Sequence, residues 1–341
     1  MPHSTSLNSA ALAAALEAWF AECGKDYPWR RTRDPYAILV SEVMLQQTQI
    51  STVLDRGYYQ RWLERFPDFQ SLAEASEEVV LQAWEGLGYY RRARNLQKLA
   101  KAVVEKHGGF LPADPALILE LPGIGPYTAG ALSSFAFGLP EPIVDGNVSR
   151  VLARLFHDAT PIDSREGIAT QWSRARELVA AASDPAAFNS ALMELGQTVC
   201  RTGQPDCESC PVRRFCQAVD PASLPVKTNR TVLTDVTERV FFRSTIEGVM
   251  LQQELGNRRT GLWKLPTLPE GTGLPPVLLK SKYGITRYRV TLWVHAAPEE
   301  VPNVEGMRLI RYEDLFQTPM PSPYRRALDA VMKGQGEFVL E

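Results

Sequence analysis

The sequence predicts an all-α region over about residues 1–220, a linker over 221–236, and a smaller α+β region over 237–341. Three observations predict it. At 341 residues the chain is longer than one hydrophobic core ordinarily serves. Apolar residues recur at helical spacing through the first two thirds, and that pattern stops in the proline-punctuated stretch Asp220-Pro-Ala-Ser-Leu-Pro-Val-Lys-Thr228. Beyond it Tyr288, Val290, Leu292 and Val294 alternate with Arg287, Arg289, Thr291 and Trp293, the period of a half-buried strand.

Composition narrows the class further. A hydrophobic content of 45% with 22% charged residues belongs to globular proteins, not to disordered or fibrous ones. No apolar run reaches the roughly 18 residues a membrane span needs, and the N-terminus lacks the basic start and long apolar core of a secretion signal. The expected location is cytoplasmic. A net charge of −2 excludes binding nucleic acid through bulk charge, so any such contact rests on local patches. Tyr89-Tyr-Arg-Arg-Ala-Arg-Asn-Leu-Gln-Lys98 is one, with four cations and no acid.

In chain order, residues 8–22 read as an amphipathic helix facing inward through Leu12, Leu16, Trp19 and Phe20. Tyr27-Pro-Trp29-Arg30 is a loop pairing an aromatic with a cation. Asp34-Pro35 is a helix start, an acceptor cap followed by proline at the first position. The helix it opens is apolar nearly all round, hence buried, yet Glu42 sits in its middle. Burial disfavours the charged carboxylate and raises its pKa, which suits a general acid; a Glu paired with an Arg at a helix surface is the alternative. Gln46, Gln47, Thr48 and Gln49 close the helix with amides and a hydroxyl fit to read base edges or simply to cap it. Leu87-Gly88-Tyr89-Tyr90 breaks the next helices and offers a wedge beside Arg91, Arg92 and Arg94, or else half-buried packing residues.

Leu121-Pro-Gly-Ile-Gly-Pro126 reads as helix end, glycine turn, helix start. Gly123 and Gly125 leave their amides uncovered, and Pro126 suits the first turn of a helix whose open N-terminus attracts phosphate. Asp145 follows in the apolar run Ile143-Val-Asp-Gly-Asn-Val148. A phosphate-holding turn plus a placed carboxylate points to chemistry on nucleic acid; an ordinary helix–turn–helix corner is the bland alternative. Two further helices are expected: residues 163–182, with Ile168, Trp172, Ala175 and Val179 inward, and Phe188–Val199.

That last helix ends at Cys200-x6-Cys207-x2-Cys210-x5-Cys216. Four thiols so close together in a cytosolic chain make a metal site rather than disulfides. The unequal spacing within one loop fits four-cysteine ligation of an iron–sulfur cluster better than the paired units of a zinc site. Cys23 stands apart as a packed thiol. In the C-terminal region Val240, Phe242, Ile246 and Met250 are expected on one face of a strand pair, and a last helix begins near Pro323.

Glu42 in SEVMLQQTQ, GLGYYRRARN, LPGIGPYTAG, VDGNV and the four cysteines occur here in one order. Together they resemble the adenine DNA glycosylases of the MutY type, in the iron–sulfur branch of the helix–hairpin–helix glycosylase superfamily, over roughly residues 10–220. The resemblance implies a multidomain protein: a bilobal all-α helix–hairpin–helix glycosylase domain with a 4Fe-4S cluster, then a smaller α+β Nudix-like domain. It implies excision of adenine opposite 8-oxoguanine or guanine in duplex DNA, by a monomer without membrane contact. Glu42 then protonates adenine and Asp145 faces the sugar cation, with Tyr127 and Asn147 as their hydrogen-bonding neighbours. Gln47, Thr48, Leu87 and Tyr89 lie at the lesion side, and Trp29, Arg30 and Glu194 near the flipped base. Where the related endonuclease III group carries a Schiff-base lysine this chain has Tyr127, so a monofunctional glycosylase is expected. The C-terminal resemblance is looser. Gly261-Leu-Trp-Lys-Leu-Pro266 matches a shortened family segment, while the family's Phe-Ser-His reading loop falls on Ile285-Thr286-Arg287 and departs at each position. A thymine or uracil mismatch glycosylase, or a non-catalytic DNA-binding iron–sulfur protein, are the competing readings.

Overall fold

In a computed structural model of the chain, residues 8–228, 232–256, 259–271 and 273–334 are described. The chain divides into two compact units: residues 1–73 with 98–230, and 74–97 with 231–341. Residues 74–97, expected within the helical region, thus cluster with the C-terminal part.

The helices are α1 (Ser9–Cys23), α2 (Pro35–Leu45), α3 (Ile50–Asp55), α4 (Tyr58–Arg65), α5 (Phe69–Glu74), α6 (Glu77–Ala83), α7 (Arg91–His107), α8 (Pro115–Leu119), α9 (Pro126–Phe137), α10 (Gly146–Leu155), α11 (Arg165–Ala180) and α12 (Pro185–Thr198). Their starts are written in local chemistry. Asp34, Asp114 and Asp184 each cap a helix with a side-chain oxygen, and each is followed by proline at the first position. Asn8, Ser76, Asp145 and Ser164 cap α1, α6, α10 and α11 in the same way.

In the first unit α1, α10, α11 and α12 share one core, built on Leu12, Leu16, Val148, Leu152, Leu178, Phe188 and Leu195. On α2 every residue from Tyr36 to Met44 is buried, as its uninterrupted apolar run requires. Two close approaches need glycine. A Cβ at Gly130 on α9 would lie 2.1 Å from the Pro142 carbonyl oxygen, and one at Gly196 on α12 would lie 2.7 Å from the Asn147 Cβ. On α11 the expected Ala175 and Val179 are buried and Trp172 is half-buried, but Ile168 is corrected: it is 47% exposed, and Gly167, Gln171 and Leu178 complete the inward face. Close packing selects the smaller residue at that turn, where Gly167 has no room for a Cβ beside Pro161.

The second unit holds strands β1 (Thr234–Phe242), β2 (Gly248–Gln253), β3 (Trp263–Lys264), β4 (Val277–Ile285), β5 (Tyr288–Ala296) and β6 (Met307–Arg311), and helix α13 (Ser322–Met332). They form two three-stranded sheets, β1-β5-β4 and β3-β2-β6. β1 runs parallel to β5, and β4 antiparallel to it. The expected strand pair over residues 240–250 is corrected in extent: the chain pairs back on itself there through the Ser244–Val249 bridge and the bond from the Met250 amide to the Arg243 carbonyl, but β1 and β2 belong to different sheets, and Ile246, in the turn between them, is 97% exposed. Val240, Leu251, Leu279, Leu292, Val294, Tyr324 and Leu328 make this unit's core. Tyr90 donates to the Met320 carbonyl at 2.8 Å and Arg325 pairs with Glu85 at 2.8 Å, which ties residues 74–97 into it. Among the described residues no helix is long and apolar enough to cross a membrane.

Candidate active site and cysteine loop

α2 carries Glu42 into the interior, where it is 6% exposed. Burial pushes its carboxyl up to about 7; the hydrogen bond from Tyr127 opposes this, the negative charge of Asp145 adds to it, and the Arg30 guanidinium opposes it. A carboxylic acid that titrates near neutrality can hold a proton and give it away. Tyr127, in the first turn of α9, contacts the Met193 sulfur at 3.9 Å, and burial beside Glu42 and Asp145 raises its pKa well above the usual phenol.

Asp145 sits at the N-cap of α10. Its Oδ1 accepts from the Val148 amide at 2.7 Å and its Oδ2 from the Asn147 side-chain amide at 3.0 Å. Two donors and a helix N-terminus thus complement a carboxylate there. Asn147 is itself held: Arg150 Nη2 donates to its side-chain oxygen at 2.9 Å.

Glu42 also lines a cavity of about 230 Å³, together with Trp29, Arg30, Ser41, Met193 and Gln197. Trp29 stacks on Tyr27 at 5.2 Å, and the Arg30 guanidinium lies over the Phe20 and Tyr27 rings. Arg30 pairs with Glu194 at 2.5 Å, and Glu194 also accepts from the Lys25 amide at 2.9 Å. A cavity with aromatic walls and an arginine fixed by its ion pair to Glu194 suits a planar polar ring.

The structure brings Glu42, Tyr127, Asp145, Asn147, Arg30 and Glu194 into one neighbourhood of the first unit. Gln46 and Thr48 are half-buried just past α2, while Gln47 is exposed with φ 59°. Gly123 has φ 80°, which its turn requires. Gly125 is extended, a Cβ there would meet nothing within 4 Å, and no side chain caps α9.

Leu87 and Tyr89 lie in the second unit. Leu87 is buried and Tyr89 is 38% exposed with φ 47°. Arg92 donates to the Leu87 carbonyl at 2.8 Å and lies over the Tyr89 and Trp84 rings; Arg94 pairs with Glu77 at 2.7 Å. Arg92 and Arg94 are committed to this loop and to Glu77, and Arg91 is the exposed cation of the three. Thr286 and Arg287 form the exposed turn between β4 and β5, Thr286 with φ 51°.

None of the five cysteines is in a disulfide, and Cys23, expected as a packed thiol, is corrected: at the end of α1 it is exposed. Cys200, Cys210 and Cys216 pack against the core of the first unit, and burial pushes the Cys210 thiol up to about 11, with Cys200, Cys216 and Cys207 adding to the rise. Among the described residues no three His, Cys, Asp or Glu side chains converge on a point that one metal ion could occupy. Behind the thiols lies Arg154, 1% exposed, with Nη1 3.3 Å from Cys200 Sγ and its other donors on the Arg201, Gly203 and Leu224 carbonyls. A buried cation facing thiols, and paired with no carboxylate among the described residues, complements a group that binds as thiolate. These residues fit an anionic four-thiolate centre.

Sequence reasoning missed Arg150, Arg154 and Gly196. The two arginines follow Asn147 at spacings of three and seven on a helix otherwise buried, which is a readable sign of an interior polar stripe. Nothing local marks Gly196; its role is a contact with another helix.

Helices joined by a glycine turn, with an acid at the next helix start, define a class. Residues 40–174 match the HhH-GPD family model, described as a superfamily of base excision DNA repair proteins. The chain is 46% identical over 219 residues to the adenine DNA glycosylase of Homo sapiens, covering 61% of this chain and 39% of that one. It is 40% identical over 202 residues to that of Mycolicibacterium smegmatis, covering 58% and 66%. Among solved structures, a thermostable thymine-DNA glycosylase matches with TM-score 0.57 and 28% identity, over 63% of this chain and 97% of that one. A trapped endonuclease III–DNA intermediate shares the fold, with TM-score 0.51 and 24% identity over 62% and 96%. By these matches the chain is similar to base excision repair proteins of the HhH-GPD superfamily and, over about 60% of its length, to adenine DNA glycosylases. The human relative is considerably longer, since the chain spans 39% of its length.

Proposed function

We propose that the chain is a monofunctional DNA glycosylase that removes adenine opposite 8-oxoguanine or guanine in duplex DNA. The observation that carries this is Glu42, buried at the cavity wall with its carboxyl raised to about 7, beside Tyr127 and Asp145. Adenine is a poor leaving group until a ring nitrogen is protonated, and Glu42 supplies that proton. The sugar then becomes cationic, and the Asp145 carboxylate, held by Asn147 and Val148, stabilises it. One protonated and one ionised carboxyl group divide the work by environment. The base reaches the cavity only after leaving the stack. Trp29, Arg30 and Glu194 receive it; Gln47 and Thr48 of the first unit, and Leu87 and Tyr89 of the second, are read as lesion-side residues, with Gln46 as a further base-reading amide; Gly123 and Gly125 present amides to phosphate.

Cys200, Cys207, Cys210 and Cys216 would hold a 4Fe-4S cluster, which supplies a rigid anchor for the loop when bound. Arg154 and Arg150 bind that loop to α10. The C-terminal unit is read as Nudix-like, with Thr286 and Arg287 in the turn that senses the opposite base, and the functional division as 1–220, 221–236 and 237–341.

Excision is tested on duplexes carrying A:8-oxoG, A:G, T:G and uracil:G under single turnover. The expected product is an intact abasic strand from the adenine pairs, cleaved only by hot alkali. Faster excision of thymine or uracil would reassign the substrate, the reading favoured by likeness to a thymine-DNA glycosylase. A borohydride-trapped protein–DNA adduct would reassign the chemistry.

A further inference from the structure

The outer face of the β1-β5-β4 sheet takes no part in the chemistry above. Strand alternation turns Val240, Leu279, Tyr283, Leu292 and Val294 into the core. The opposite face reads in rows. Arg239, Trp293 and Lys280 stand opposite one another, Thr237, Thr291 and Lys282 form the next row, and Asp235, Arg289 and Gly284 the third. Rows two residues apart are about 7 Å apart. Arg239, Lys280, Lys282 and Arg289 are exposed. Asp235 is the acid in these three rows and pairs with Arg289 at 3.0 Å. Arg239, Lys280 and Lys282 join no ion pair among the described residues. Lys280 Nζ lies 4.3 Å from the Trp293 ring centroid, so the indole holds that ammonium up from the sheet.

We propose that this face binds the phosphate backbone of duplex DNA, as a surface distinct from the Thr286–Arg287 turn. The proposal rests on the reading that duplex DNA is the substrate. Three cations without carboxylates, interleaved with the Thr237 and Thr291 hydroxyls, complement a polyanion that releases counterions on binding. The face suits a protein partner poorly: lysine is depleted in protein interfaces, and Trp293 is half-buried under a cation rather than offered as an apolar anchor.

The test uses the full chain and undamaged duplex DNA. In R239A/K280A/K282A, affinity at low salt should fall on the order of tenfold. The slope of log affinity against log salt should flatten by about 2 to 3, roughly 0.9 for each phosphate no longer neutralised. R239K/K282R keeps the charges and should keep the wild-type slope. The thermal midpoint and single-turnover excision at saturating enzyme should not move. A triple variant with wild-type affinity and slope overturns the proposal, whether or not it loses an acidic protein partner. Because excision is read separately, loss of the glycosylase reading and loss of this surface are told apart.

Discussion

Arg150 joins Asn147 to Cys200: its Nη2 lies 2.9 Å from the Asn147 side-chain oxygen and its Nε donates to the Cys200 carbonyl at 2.8 Å. A third bond, from Nη2 to the Gly196 carbonyl at 2.6 Å, ties in α12. The amide that holds Asp145 is thus positioned from the cysteine loop. Arg150→Lys keeps the charge but cannot span three acceptors with one ammonium. Single-turnover excision should fall by roughly one to two orders of magnitude, with mismatch binding reduced far less. Wild-type excision by this variant would show that Asn147 holds its place unaided.

Glu42 gives a prediction in both rate and stability. Its folded pKa of about 7 lies above the ordinary 4.5. The proton it donates is present below about 7 and lost above, so excision should decline as pH rises through that value. Stability follows the same sign. Below pH 4.5 the carboxyl is neutral folded and unfolded and costs nothing of this kind; from there to about 7 the folded state holds a proton the unfolded state has shed, so stability falls as pH rises. The full difference is on the order of 3 kcal/mol, at about 1.4 per pKa unit. Glu42→Gln should lose about two orders of magnitude or more in excision, yet gain on the wild type in denaturant midpoint as pH goes from 5 to 8. A pH-independent difference in midpoint would show that Glu42 is not held as a buried acid.

Gly196 tests how tightly the site is packed. A methyl there meets Asn147 Cβ at 2.7 Å and its backbone at 3.2 Å. Neither atom is the far end of a flexible side chain, so the N-terminus of α10 must shift. Gly196→Ala should cost about 1–3 kcal/mol in stability and, through Asn147 and Asp145, at least tenfold in excision. Denaturant titration and single-turnover rates on one preparation separate the two effects; an unchanged rate would mean α10 moves without carrying its acid.

Some of this is legible in the chain and some is not. Glu42 stands out because an ionisable residue inside an unbroken apolar helix has no cheap explanation, and Asp34-Pro35 announces its helix through local rules alone. The inward face of α11 departs from the expected one at its first turn, where Gly167 rather than Ile168 is buried, and what chooses between them is the approach of Pro161, a contact outside the helix. The parallel pairing of β1 with β5 joins segments some fifty residues apart, which no local period encodes. Gly196 is invisible for the same reason, since it acts through a tertiary contact on Asn147; Arg150 is marked only as a cation on a buried stripe, and its acceptors on Gly196 and Cys200 are tertiary too.

Thr286 supplies the last prediction. Among the described residues the non-glycine positions with positive φ are Gln47, Tyr89, His157 and Thr286. Three of them occupy turns assigned here to the lesion side. A β-branched residue at φ 51° is strained, on the order of 1–2 kcal/mol, and such strain persists only where the surroundings or function hold it. Asparagine tolerates that backbone region far better. Thr286→Asn should therefore raise the thermal midpoint by a degree or more, equivalent to roughly 0.5 kcal/mol, while lowering the preference for A:8-oxoG over A:G. His157→Asn is the matched control. Its φ is 46°, and its ring accepts a long bond of 3.5 Å from the Val219 amide. It should also stabilise, but leave discrimination unchanged. Ratios of single-turnover rates on the two duplexes, measured for both variants, decide the matter. If Thr286→Asn stabilises and discriminates like the wild type, the turn does not read the opposite base, and discrimination belongs to the Gln47, Thr48 and Tyr89 loops.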